Sequence, residues 1–219
     1  MKILVVTDIH DRVRYVKKLK GIDRDITIVV GDITYFKSGD YALEILKLLE
    51  NGKPLLFVPG NCDDHKLLQF KRVNNITNIH GDTAEYDTND LAFIGLGGSN
   101  ITPFNTLIEF SEEEIWNILL RALSKIRNKA ARLVVVSHVP PYNTVVDLTH
   151  SGEHVGSTSV RRFIEEYKPV LCICGHIHEA RGIDRIGNTI IVNPGPLMYR
   201  YYALINISSG QVEVKLCRL

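Results

Sequence analysis

The chain has 219 residues, 45% hydrophobic and 23% charged, ordinary values for a soluble globular protein with a sizeable core. Lys plus Arg number 26 against 25 Asp plus Glu, a formal charge of +1, which argues against a sequence-independent grip on nucleic acid because that needs a basic surface stripe. Cys62, Cys172, Cys174 and Cys217 form no C-x-x-C pair and suggest no disulfide scaffold, the N-terminal apolar run is too short for a signal peptide, and no run reaches membrane-spanning length. The expectation is a cytoplasmic protein that makes no membrane contact, folded as one domain over residues 1–219.

In chain order, Ile3–Val6 and Ile26–Val30 read as strands buried on both faces, being apolar without strict alternation. Tyr41–Glu50 follows as a helix, with Leu43, Ile45, Leu46, Leu48 and Leu49 biased to one side, and leads into a third buried strand, Leu55–Val58. Val73–Ile79, Ala84–Thr88 and Leu91–Leu96 resemble strands joined by polar turns. Glu112–Lys129 reads as a helix with Ile115, Ile118, Leu119, Leu123 and Ile126 on its apolar face, and Ser111 with Glu114 forms a capping box at its start. Leu133–Val136 is the fourth buried strand, Thr158–Tyr167 a shorter helix ended by Pro169, and Val170–Cys174 the fifth strand. Ile190–Val192, Tyr201–Ile207 and Gln211–Leu216 complete the strands. Helix-alternating strands plus hairpin-like ones predict an α/β fold of two packed sheets with helices outside.

Each of the five buried runs ends in polar residues able to bind a metal. The first leads to Asp8-Ile9-His10, the second to Gly31-Asp32, the third to Gly60-Asn61-Cys62-Asp63, the fourth to Ser137-His138 and the fifth to Gly175-His176-Ile177-His178. The carboxyl ends of strands in open α/β sheets form the ligand crevice, so five distant segments deliver these side chains to one edge. In extended chain, residues i and i+2 project to one side, which would let Asp8 and His10 grip one ion and His176 and His178 face a common cleft. Gly31, Gly60 and Gly175 stand beside these positions, where a missing side chain lets the backbone turn and leaves room for ions.

The series Asp8-x-His10, Gly31-Asp32, Gly60-Asn61, His138 and Gly175-His176-x-His178 resembles the full set of blocks of the calcineurin-like metallophosphoesterases, and it spans residues 8 to 178. Val155-Gly156-Ser157, Arg161 to Ile164, the His176 block and Asn193-Pro194-Gly195 look closer to a subgroup of small predicted phosphoesterases related to cyclic-nucleotide phosphodiesterases. The resemblance implies a four-layer α/β/β/α sandwich of two mixed sheets. It also implies that Asp8, His10 and His178 hold one divalent metal, that Asn61, His138 and His176 hold a second, and that Asp32 bridges them. Its activity would be hydrolysis of a small phosphoester by a metal-activated hydroxide. Mixed nitrogen and oxygen donors without thiolate suit Mn, Fe or Zn better than Ca.

Many members of that family carry a histidine directly after the Gly-Asn pair, where it can protonate the leaving oxygen; here the position is Cys62. A neutral thiol is a poor proton donor to an alkoxide, so a phosphodiester or an activated aryl ester is the expected substrate. His150 and His154 lie in the polar segment 145–157 and are candidates for the acid or for substrate contact. His65 and His80 read as structural or exposed; Arg161 and Arg162 could meet a phosphate near a helix start but are better assigned to solvent or an acidic neighbour, and Tyr199, Tyr201 and Tyr202 could stack on a base or serve core packing or a subunit contact. The rival readings are a nuclease with the same chemistry, which the near-zero charge disfavours, a non-catalytic scaffold, and a nucleotide-binding protein. The sequence leaves oligomeric state open.

Overall fold

The computed structural model describes residues 1–86, 90–208 and 210–219. In the first sheet β1 (Lys2–Val6), β2 (Ile26–Val30) and β3 (Leu55–Val58) run parallel, and β5 (Ile76–Asn78) continues alongside β3, with β4 (Arg72–Val73) antiparallel at that edge. On the far side β14 (Tyr201–Ser208) pairs antiparallel with β1, and β15 (Gln211–Arg218) pairs antiparallel with β14. In the second sheet β7 (Leu91–Leu96), β10 (Arg132–Ser137), β11 (Leu171–Ile173) and β13 (Thr189–Asn193) run parallel between antiparallel edges β6 (Thr83–Tyr86) and β12 (Gly182–Ile186). A short parallel pair, β8 (Ser99–Asn100) and β9 (Glu109–Phe110), lies outside both.

The apolar runs lack alternation because each strand is covered twice. Ile3, Val5, Ile28 and Val30 point inward and meet Phe93, Val134, Val136 and Ile173 of the other sheet. Their neighbours Leu4, Val6 and Val29 point outward, against Val16 of α1 (Val13–Lys18) and Ala42, Ile45 and Leu46 of α2 (Gly39–Lys47). Ile94, Val135 and Cys172 pack outward against Ile115 and Leu119 of α4 (Glu112–Ser124) and Phe163 of α5 (Thr158–Tyr167). The result is helices, sheet, sheet and helices in four layers, as expected, with α3 (Lys66–Gln69) a single turn beside β4. Fully buried Phe57 and Phe93 each contribute roughly 2–3 kcal/mol by leaving water. Among the described residues no helix is long and apolar enough to cross a membrane.

Several boundaries differ from the sequence expectation. The strand expected over Val73–Ile79 is a tight hairpin, because Asn74 adopts a left-handed φ of 49° and reverses the chain between β4 and β5. The helix expected to reach Lys129 stops at Ser124: the Glu85 carboxylate accepts the backbone N–H groups of Arg127 (3.2 Å) and Asn128 (2.9 Å), drawing the chain away from the helical path. The capping box at Ser111 and Glu114 is present in both directions. Positions 87 and 88 of the strand expected over Ala84–Thr88 lie outside the described residues. Helices α1 and α3 are too short for a periodic signal, and β12 reads Gly-Ile-Asp-Arg-Ile, too polar to stand out.

His80 joins the two sheets. Its Nδ1 accepts the Gly97 N–H at 2.9 Å and its ring stacks on Phe110, 5.7 Å between centroids. Burial, with the charges of Arg121 and Lys71, holds its pKa down to about 4. In the unfolded chain the imidazole takes up a proton near its ordinary value, so the stability His80 supports is complete above about pH 6.5 and fades as pH falls toward 4, by at most about 3 kcal/mol. His80→Asn keeps an acceptor at the Nδ1 position without titrating. Urea denaturation at pH 7 and pH 4.5 should show a smaller loss of midpoint in this variant than in the wild-type chain.

Candidate metal centre

The carboxyl ends of β1, β2 and β3 from one sheet and of β10 and β11 from the other converge on one edge, and backbone pairing continues past the strands. The Asp8 N–H donates to Gly31 O (3.1 Å), that of His10 to Asp32 O (3.0 Å), that of His138 to Leu96 O (2.9 Å) and that of Gly175 to His138 O (3.0 Å). The residues do not reach the site through extended chain. Asp8, His10, Asp32 and His176 have φ of 51°, 42°, 47° and 67°, so the i, i+2 reasoning gives the right neighbours for the wrong local geometry. Left-handed backbone at non-glycine residues costs roughly 1–2 kcal/mol each and is concentrated at functional sites. Gly60 fits this crowding, since a Cβ there would strike the Asp32 backbone N and carboxylate.

Candidate ligand atoms of Asp8, His10, Asp32 and His178 all lie within 4.8 Å of one another. His10 Nε2 stands 3.2 Å from His178 Nε2, and His178 Nε2 stands 3.4 Å from Asp8 Oδ1. Asp32 faces both ways: its Oδ2 is 3.5 Å from His10 Nε2 and its Oδ1 is 3.6 Å from His138 Nε2. His138 Nε2 in turn lies 3.0 Å from Asn61 Oδ1, and the rings of His138 and His176 are 5.1 Å apart between centroids. All seven residues expected as ligands therefore meet at this edge, four as one compact group and three beyond the other oxygen of Asp32.

Asp8 and Asp32 are both buried, at 1% and 3% exposure, so their charge must be balanced locally. Burial pushes the Asp8 carboxyl up, but the neighbouring His178 and His138 rings together offset this and hold it below the usual range. For Asp32 burial is likewise outweighed, by His138, His10 and the Cys62 N–H at 2.8 Å. Burial opposes protonation of His138, yet Asp32 and Asp8 raise its pKa to about 9; His176, buried beside His138, is held down to about 4. The lone pairs that bind these protons are the ones a divalent cation needs, so cation and proton compete. Asp8 Oδ1 is buried and has no hydrogen-bond partner among the described residues. An orphaned carboxylate oxygen amid imidazole nitrogens is a donor set that fits divalent Mn, Fe or Zn.

Neighbouring groups hold the ligands in place. The Thr7 hydroxyl lies 2.7 Å from Asp8 Oδ2, the Asn61 amide donates to Thr106 Oγ1 (3.0 Å), and His138 Nδ1 pairs with Val30 O (2.7 Å). The segment after Asn193-Pro194-Gly195 docks on β1, with Leu197 and Met198 N–H donating to Thr7 and Asp8 carbonyls. Sequence reasoning gave Asp63 no role. Its buried carboxylate accepts the N–H groups of Ile33, Thr34 and Gly60 and the Thr34 hydroxyl, at 2.9 to 3.1 Å, and so ties the Asp32 loop to the Asn61 loop. Burial and the charge of Asp32 push its pKa up to about 6. The only sequence signal was one more acid beside Asn61.

Two clefts open onto the centre. The larger, about 910 Å³, is lined by Asp11, Arg12, Tyr35, Lys37 and Cys62 together with His10, Asp32 and Asn61; the smaller, about 560 Å³, by Asn100, Glu153 and Glu179. Phe104, His176 and His178 border both. His150 and His154 line neither. His154 is held by the buried Asp147 carboxylate (Nδ1 to Oδ1, 2.8 Å), which also accepts the N–H groups of Asn143, Thr144 and Gly156, and the exposed His150 contacts Glu179 through its backbone. Arg161 pairs with Glu165 and Arg162 lies over Trp116, away from the centre. Tyr199, by contrast, packs edge-on against His178 at 6.3 Å.

Residues 1–180 match the family described as calcineurin-like phosphoesterase. The chain is 41% identical over 207 residues to an uncharacterized protein of Methanocaldococcus jannaschii, covering 92% of this chain and 91% of that one. A crystal structure from Thermus thermophilus shares the fold with a TM-score of 0.74 at 17% identity, covering 98% of this chain and 97% of that one. The protein described as the anchor in the inner membrane complex of Plasmodium shares it with a TM-score of 0.67 at 14% identity, covering 100% of this chain and 84% of that one.

Removing the Asp63 clamp should loosen the centre as well as the fold. Asp63→Ala leaves three buried N–H groups unpaired and should cost about 3–5 kcal/mol, with Mn²⁺ affinity falling about 10- to 100-fold. Asp63→Asn, which keeps one acceptor oxygen, should lose less on both counts. Urea denaturation and calorimetric Mn²⁺ titration check this; unchanged affinity in a folded Asp63→Ala chain would confine Asp63 to a stabilising role.

Proposed function

This chain belongs to the calcineurin-like phosphoesterase family, and from that membership we propose that it hydrolyses a phosphodiester or an activated aryl phosphoester at a two-metal centre. The observation that carries the reading is the Asp32 carboxylate, whose two oxygens face two histidine groups, His10 and His138. Asp8, His10 and His178 would hold one divalent Mn, Fe or Zn ion, Asn61, His138 and His176 the second, and Asp32 would bridge them. Two such ions supply a water of lowered pKa and positive charge for the oxygens around phosphorus.

The protein's own groups give the reading its substrate preference. In hydrolysis the water oxygen bonds to phosphorus while one P–O ester bond breaks, and the departing oxygen leaves with the electron pair and takes a proton from a donor or from solvent. Cys62 lines the cleft at that point, but burial and the charge of Asp32 push its thiol far above the ordinary range, so it holds its proton. Neither His150 nor His154 lines the cleft in its stead. An aryl oxide leaves without a proton more readily than an alkoxide, which favours aryl esters over simple alkyl monoesters. Arg12 lines the same cleft with no ion pair among the described residues, and so offers an unsatisfied cation to a phosphate. The fold shared with the Plasmodium anchor protein supports a scaffold reading in principle; seven converging, chemically competent side chains favour hydrolysis.

With Mn²⁺ present, the purified protein should cleave bis(p-nitrophenyl) phosphate and p-nitrophenyl phosphate but scarcely touch an alkyl monoester such as glycerol phosphate. Asp32→Ala should lower kcat/KM by about a thousandfold or more. Cys62→His, which supplies a titratable donor beside Asn61, should raise alkyl monoesterase activity about 10- to 100-fold and diesterase activity much less. Equal changes in both activities would remove the acid deficit as the cause of the preference, and efficient glycerol phosphate hydrolysis by the wild-type protein would overturn it.

A further inference from the structure

Phe104 is 79% exposed, yet it borders both clefts that open on the metal centre, together with His176 and His178. Exposing a phenyl ring to water is unfavourable, and a ring standing between two cavities at a reaction centre has one evident partner, the substrate. The two cavities differ in chemistry. The larger carries Arg12, which has no ion pair among the described residues, and Lys37, whose ammonium is paired with Asp11 of the same cleft at 3.2 Å, with the exposed rings of Tyr35 and Phe36. The smaller carries Glu153 and Glu179, and neither carboxylate has an ion-pair partner among the described residues.

The smaller cavity offers acceptors and almost no free donors. Its Thr102 hydroxyl donates to Glu109, and its Thr149 hydroxyl is held within its own loop, near Ser151 Oγ and Glu153 O. Asn100 points its amide N–H at Val155 O (3.3 Å), which leaves Asn100 Oδ1 buried with no hydrogen-bond partner among the described residues. A buried carbonyl oxygen left unpaired costs about 1–3 kcal/mol, a deficit that a donor arriving with the ligand removes.

We propose that Phe104 divides the site into two arms, each taking one ester group of a phosphodiester, and that the arm lined by Asn100, Glu153 and Glu179 selects an alcohol rich in hydrogen-bond donors, such as an amino alcohol. This inference rests on the diesterase reading above. An anionic substituent is repelled from that arm by the two carboxylates and is directed to the arm holding the unpaired Arg12, so a diester binds in one orientation.

Two esters of equal size test this: 2-aminoethyl p-nitrophenyl phosphate, with an ammonium donor, and n-propyl p-nitrophenyl phosphate, with none. The Mn²⁺-loaded protein should favour the aminoethyl ester about tenfold or more in kcat/KM. The preference should shrink to threefold or less in Glu153→Gln/Glu179→Gln and fall also in Asn100→Ala. A preference of twofold or less in the wild-type protein, or one the variants leave intact, overturns the inference while the diesterase reading stands. If neither ester is cleaved, the diesterase reading falls, and calorimetry decides the arm separately. O-phosphoethanolamine should bind at least fivefold more tightly than propyl phosphate, and equal affinity overturns the proposal.

Discussion

Two buried carboxylates, Asp8 and Asp32, impose the constraint around which the rest of this edge is organised. Each is nearly inaccessible, and a carboxylate taken out of water costs several kcal/mol unless it is paired. The sandwich answers with imidazoles brought from both sheets: His10 from the segment after β1, His138 from after β10 and His178 from after β11. No single element carries enough neutralising groups, so the site exists only when the two sheets pack against each other.

That dependence explains the rigidity of the surroundings. The loops after β1 and β2 are joined by continued backbone pairing, those after β2 and β3 by Asp63, and those after β10 and β11 by the Gly175 hydrogen bond to His138. Left-handed backbone at Asp8, His10, Asp32 and His176 is tolerated because these bonds over-determine each turn.

The sequence made the layers and the gathering of candidate ligands at one edge legible, and the reasons are physical. Strands covered on both faces leave unbroken apolar runs, as in Ile26–Val30 and Leu55–Val58, and a polar residue directly beyond such a run stands out. What stayed hidden depends on groups far apart in the chain. Nothing local marks Glu85 as the reason α4 ends at Ser124, or Asp63 as the bond between two loops. The left-handed turns were equally hidden, since Asp8 and His10 carry no glycine to announce them. His154 was a candidate acid or substrate contact in the sequence, but its Asp147 partner, seven residues back, turns it toward loop structure.

The division of labour between scaffold and loops follows from the same constraint. Charge balance between Asp8, Asp32 and the histidines leaves little room for change, because removing any one group strands a buried charge. The loops that wall the clefts carry no such burden. Several of the large apolar side chains exposed among the described residues, Tyr35, Phe36, Ile101 and Phe104, lie on the loops that wall these clefts. On the hydrolase reading proposed above, the apolar rings kept in water beside this charged centre are surface that a bound substrate would cover. On that same reading, selectivity would reside in the segments around Tyr35, Phe104 and Glu153, which can vary without disturbing the balance of charge beneath them.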